Sequence, residues 1–190
     1  MHLTLHPELW WCVTRATGIT AWVSALGSLL AGLALATRTL GARPKGPWLL
    51  DVHRGLAGVT LAFTALHVAA IVADSYVHFG AADVLVPLAS DWEPVAVAGG
   101  VVAMWLLVAV QLSSLAMRRL PKRVWRTIHL GSHGAAVAAT FHAFTAGTDA
   151  GNPLVVGTAI AAASAAALMF TYRLALPRRS ARRPSPAPTG

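Results

Sequence analysis

Four histidines carry the chemistry this 190-residue chain can do. His53 and His67 lie fourteen residues apart in the apolar stretch "LLDVHRGLAGVTLAFTALHVAAIVAD". His129 and His142 lie thirteen apart in "TIHLGSHGAAVAATFHAFTAG". Imidazole is a common metal ligand and a good axial ligand for haem iron. On a helix, fourteen residues return to within about 40° of the starting direction and rise about 21 Å. His53 and His67 therefore share one face at two depths. Thirteen residues rise about 20 Å but turn about 220°, so His129 and His142 do not share a face. Their helix must overwind, kink, or present its two rings at different angles. Gly131 and Gly134 lie between them, where the backbone can yield or a cofactor can come close. His133 is a rival ligand one turn on from His129, but no imidazole in the other stretch matches its depth as well.

These residues must be held by membrane helices. Hydrophobic residues make up 56% of the chain and charged ones 12%, too few charges for a soluble surface. The fold class is all-α, a polytopic membrane bundle. Five spans are expected at roughly 18–37, 50–73, 94–117, 127–147 and 152–175, each near the ~20 residues that cross the hydrocarbon core. Residues 1–17 form an outer N-terminal segment, and 176–190 a basic, Pro-rich cytoplasmic tail. The fourth span is diluted by Gly, Ser, Thr and His, as is tolerated in a helix buried among others or against a cofactor.

The net charge of +8 does not indicate nucleic acid, because the charges sit between apolar runs. Arg38, Arg43, Lys45 and Arg54 flank spans one and two. Arg118, Arg119, Lys122, Arg123 and Arg126 separate spans three and four. Arg178, Arg179, Arg182 and Arg183 follow span five. The opposite loops carry Asp74, Asp83, Asp91, Glu93 and Asp149, with Arg15 the exception. Basic loops stay cytoplasmic, which puts the N-terminus outside and the C-terminus inside. Trp10, Trp11 and Trp92 then form the outer aromatic belt, and Trp48 and Trp125 the inner one. The outer segment "ADVLVPLA" is expected on the membrane surface. Cys12 is the sole cysteine, so no internal disulfide forms. The first residues lack the basic start and cleavage site of a signal peptide.

With these spans, the second and fourth run parallel. His53 meets His129 near the cytoplasmic side, and His67 meets His142 nearer the outside. Each pair can hold one haem b as a bridge between helices, filling both axial positions. Two haems at two depths make a path for electrons across the bilayer. Arg54 and Arg126 are the candidate partners for the propionates of the inner haem, and Arg15 for the outer. The basic loop from Arg118 to Arg126 can dock an acidic donor, and His78 lies in the outer loop near the exit. Two other readings compete: a single-haem subunit that anchors and feeds a periplasmic reductase, and a non-redox metal-transport or assembly protein. A transport site prefers ligands gathered in one coordination sphere, whereas these pairs lie ~20 Å apart.

Residues 15–175 resemble the ferric-reductase-like transmembrane domain. That family includes ferric reductases, NADPH oxidases and the membrane haem subunit of the bacterial methionine-sulfoxide reductase system. The resemblance lies in the two His spacings, in "HRGLAG…LAFTALH", and in "RRLPKRVWRTIHLGSHGAAVAATFH". It implies a membrane cytochrome b with two haems, an oxidoreductase component of a bacterial cytoplasmic membrane. Many members have six spans, and this sequence reads as five. The oxidases carry a C-terminal flavin and nicotinamide domain. Here no Gly-rich dinucleotide fingerprint occurs. The resemblance therefore implies a separate electron donor, a flavoprotein or the quinone pool, and an extracytoplasmic acceptor such as ferric iron or a periplasmic reductase.

Overall fold

The computed structural model describes residues 7–37, 46–74 and 77–175. They form six helices: α1 (Pro7–Thr37), α2 (Gly46–Ala73), α3 (Ala81–Leu85), α4 (Pro94–Leu115), α5 (Lys122–Thr145) and α6 (Pro153–Ala175). No strand occurs among the described residues. In lipid a helix satisfies its backbone groups within itself, so long apolar segments settle as helices. Pro7, Pro94 and Pro153 each open a helix, where the missing N–H of proline is no loss.

Four helices are long and apolar enough to cross a membrane: Leu9–Thr37, Gly46–Ala73, Pro94–Leu115 and Pro153–Tyr172. The chain is thus a helical membrane bundle. α5 is not among the four, although its 24 residues match them in length. Lys122, Arg123, Arg126 and three histidines lower its hydropathy.

The first span differs most from expectation, because its helix begins at Pro7 rather than near residue 18. Thr14, Arg15 and Thr17 dilute its hydropathy, yet none of them breaks a helix, and the chain stays helical through them. The other four expected spans match α2, α4, α5 and α6 to within a few residues. The loop residues Arg38, Arg43 and Lys45, and the tail with Arg178, Arg179, Arg182 and Arg183, lie outside the described residues.

The helices pack as two antiparallel hairpins, α1 with α2 and α4 with α5. α1 joins them by touching α5 and α6 as well. Its Trp22 is only 5% exposed and packs with Leu26 and Ala136, with Phe144 edge-on at 6.3 Å. The Trp22 indole N–H donates to Thr140 Oγ1 at 3.0 Å, pinning α1 to α5. Small residues let the hairpin helices approach closely. A Cβ at Gly27 would meet Leu56 at 3.2 Å, and one at Gly99 would meet Phe141 at 2.8 Å.

α2 meets α4 only lightly, and between them lies an apolar groove of about 610 Å³, lined in part by Leu61, Ala65, Val68, Met104, Leu107 and Val108. Only Leu49, Thr60 and Ala70 of α2 are buried. The groove thus has one wall on each hairpin, α2 on one side and α4 on the other.

The α2–α4 connection does not simply rest at the start of α4. Trp105 Nε1–H donates to the Leu85 carbonyl at 2.8 Å, and Trp105 lies eleven residues into α4, about 16 Å along its axis. α3 is thereby drawn alongside the N-terminal half of α4.

Candidate functional site

The two histidine pairs read from the sequence come together. The rings of His53 and His129 have centroids 6.1 Å apart and planes at 69°. Those of His67 and His142 are 6.3 Å apart at 78°. All four rings are half-buried. The pairing order places α2 and α5 parallel, with two rungs between them.

Each ring is held from behind by the other helix of its own hairpin. His67 Nδ1 lies 2.8 Å from the Thr14 carbonyl, and His53 Nδ1 lies 2.8 Å from that of Ser28. His142 Nδ1 lies 2.8 Å from the Ala96 carbonyl. A carbonyl only accepts, so Nδ1 must carry the proton in these three rings. That leaves Nε2 as the nitrogen with a lone pair, the tautomer a metal ligand needs.

One turn beyond each carbonyl stands a glycine under the ring. A Cβ at Gly18 would lie 2.9 Å from the His67 Cε1 and Nδ1 atoms. A Cβ at Gly100 would come within 3.0 Å of His142, and one at Gly32 within 3.2 Å of His53. At Gly18 the ring occupies the space of a side chain, and at Gly100 and Gly32 a Cβ would press on the ring.

His129 is held differently. Its Nδ1 faces Ser114 Oγ at 3.4 Å, and that hydroxyl donates to the Val110 carbonyl at 2.8 Å. Val110 and Ser114 occupy the places that a carbonyl residue and a glycine fill at the other three rings. The indole of Trp125 stacks on the opposite side of His129, with centroids 5.0 Å apart and planes at 24°. The departure falls at one end of the thirteen-residue spacing. A side-chain hydroxyl extends the reach of the helix there, where the carbonyl alone serves in the fourteen-residue case.

The pair geometry suits a single metal atom between two imidazoles. A metal–nitrogen bond of about 2.0 Å and a ring centre about 1.1 Å behind each nitrogen put the centroids about 6.2 Å apart. Among the described residues no group of three or more His, Cys, Asp or Glu gathers. Each pair offers two imidazoles to a bound group.

The other candidates are placed as follows. Arg54 and Arg126 are exposed, next to His53 and one turn before His129 respectively. Arg15 pairs with Asp149 through two guanidinium nitrogens and lies 5.1 Å over the Trp11 ring. It thus ties α1 to the α5–α6 connection. His133 points away from both pairs, exposed in a shallow groove with Gly134, Val137 and Phe141, and its Nδ1 is 3.2 Å from the Leu130 carbonyl. Gly131 and Gly134 contact Leu106 of α4, at 3.7 and 3.4 Å from their would-be Cβ atoms. They serve the packing of α4 on α5. His78 is exposed in the connection between α2 and α3.

Thr14, Gly18, Ser28, Gly32, Ala96, Gly100 and Ser114 were not singled out from the sequence. A signal exists all the same. Thr14 and Ser28, Gly18 and Gly32, Ala96 and Val110, and Gly100 and Ser114 all repeat the fourteen-residue step of His53 and His67. Comparison of the chain with protein-family models, curated proteins and solved structures gives no match.

Proposed function

We propose that this protein is a di-haem cytochrome b that passes electrons across a membrane. The observation that carries the reading is the pair of centroid distances, 6.1 and 6.3 Å, at two depths between the same two helices. Bound haem supplies a one-electron iron couple at each depth, tuned by its ligands and surroundings. His53 and His129 hold the inner iron, and His67 and His142 the outer. The carbonyls of Ser28, Thr14 and Ala96 orient three of the rings and raise their basicity as ligands. Two histidines per haem would leave the iron no open position, which would favour electron transfer over binding of oxygen or substrate.

The bundle spans five times in this proposal. α5 joins the four apolar helices because its Thr140 bonds Trp22 of α1 and its His129 and His142 face the two rungs. The described basic residues Arg54, Arg118, Arg119, Lys122, Arg123 and Arg126 lie at one end, and Asp74, Asp83, Asp91, Glu93 and Asp149 at the other. The basic end faces the cytoplasm, the N-terminus lies outside and the C-terminus inside. A bacterial cytoplasmic membrane fits this orientation. Arg54 and Arg126 neutralise the inner propionates. Arg15 keeps a guanidinium nitrogen for an outer one beyond the two that Asp149 takes. Electrons enter from a separate flavoprotein or quinone, guided by the basic face, and leave to an extracytoplasmic acceptor such as ferric iron or a reductase domain.

Purification from haem-replete cells tests this. The protein is expected to be red, with a Soret band that shifts on reduction. His67→Ala or His142→Ala should lower haem content from two per chain to one, as should His53→Ala or His129→Ala. Loss of neither haem on replacing His142, with loss on replacing His133, would move the outer ligand to His133.

A further inference from the structure

Two buried side-chain polar atoms have no hydrogen-bond partner among the described residues: Thr14 Oγ1 and Trp125 Nε1. Burying such a group without a partner costs free energy, and more in lipid than in water. Thr14 is also unlike its neighbours. Ten other threonines in these helices, from Thr17 to Thr171, return their hydroxyl to the carbonyl four residues back. Thr14 does not. Trp22 and Trp105 both find acceptors for their indole N–H. Trp125 does not.

The two atoms stand one at each rung. The Thr14 carbonyl accepts from His67, and the Trp125 ring stacks on His129. Each is also displaced from its rung toward the nearer water. Thr14 lies one turn beyond Gly18 toward the start of α1, the outer end in the proposed orientation. Trp125 lies one turn before His129 toward the start of α5, the inner end. The carboxylates of a membrane haem must point the same two ways, since charge is driven out of hydrocarbon.

We infer that Thr14 Oγ1–H and Trp125 Nε1–H are hydrogen-bond donors to the propionate edges of the outer and inner haems. Each donor serves one carboxylate, and each is positioned by the element that also fixes an axial histidine. The inference rests on the di-haem reading. It goes beyond the arginines, because it names neutral donors inside the bundle that hold a haem's rotation about its axial bonds. A donor also offsets the propionate's negative charge. Its loss favours ferric iron, so the midpoint of that haem should fall.

The test is a redox titration of the full-length protein in nanodiscs, with inner and outer haems assigned through His129→Ala and His142→Ala. Trp125→Phe keeps the stack and removes the N–H. Thr14→Val keeps the shape and removes the hydroxyl. Trp125→Phe should lower the inner midpoint alone and Thr14→Val the outer alone, with two haems retained. Thr14→Ser should restore the outer value. As a check that does not depend on midpoints, wild-type apoprotein should bind haem more tightly than its dimethyl ester, and each variant should lose part of that preference. Two haems with unmoved midpoints and an unchanged preference would overturn this inference and leave the di-haem reading standing. A wild type that binds no haem would overturn both.

Discussion

At the scale of single residues, the four paired histidines are not equivalent. Three share a carbonyl behind Nδ1 and a glycine under the ring, and His129 has a serine in both roles. Ser114→Ala removes the acceptor for its Nδ1–H and lowers the basicity of that ligand. The inner midpoint should rise with the outer unmoved, and Ser114→Thr, which keeps a hydroxyl, should leave both in place; a potentiometric titration reads this. Glycine substitutions follow the distances. Gly18→Ala and Gly100→Ala bring a methyl to 2.9 and 3.0 Å from the outer pair, so haem content should fall toward one per chain. Gly32→Ala, at 3.2 Å from His53, should act on the inner haem and less severely. Pyridine haemochrome counts separate these cases. The pairing of the histidines was legible because an imidazole in an apolar run is conspicuous. Their supports were not, since a glycine, a threonine or a backbone carbonyl in a membrane helix looks like ordinary packing until its neighbour is known.

At the scale of elements, the hairpins explain how thirteen residues serve where fourteen do elsewhere. Thr14, Gly18, Ser28 and Gly32 of α1 correspond to Ala96, Gly100, Val110 and Ser114 of α4, each 82 positions later. His67 corresponds to His142 at 75 positions and His53 to His129 at 76. α1–α2 and α4–α5 are thus two versions of one supporting device, and the one-residue slip falls between the rungs of α5. A helix wheel drawn on α5 alone shows only a mismatch, because the compensation sits on α4. The start of α1 was similarly obscured. On sequence alone this helix is expected to begin near 18, whereas the Thr14 carbonyl holds His67 and Arg15 pairs with Asp149. The tie between α1 and α5 can be tested directly. Trp22→Phe removes the bond to Thr140 and should weaken helix association by about 0.6–1 kcal/mol, as a small drop in unfolding midpoint in detergent.

At the scale of the whole molecule, the packed core sits on α1, where Trp22 and Leu26 meet Ala136 of α5, and α2 stands apart from it. No large side chain is wholly buried among the described residues, and α2 and α5 meet mainly through the two ring pairs. Haem removal should therefore loosen the bundle, with faster proteolysis and a lower unfolding temperature, through the linkage of binding to folding. Composition made the membrane class plain from the sequence, and the charge pattern supplied an orientation. The two-hairpin arrangement was not accessible, because it depends on which helices touch. The central claim is that each of two histidine pairs holds one haem, and the stoichiometry of purified full-length protein tests it most directly. Pyridine haemochrome against protein mass should give two haems b per chain. One haem per chain would contradict the two-rung path, and a colourless, folded protein from haem-replete cells would contradict electron transfer altogether.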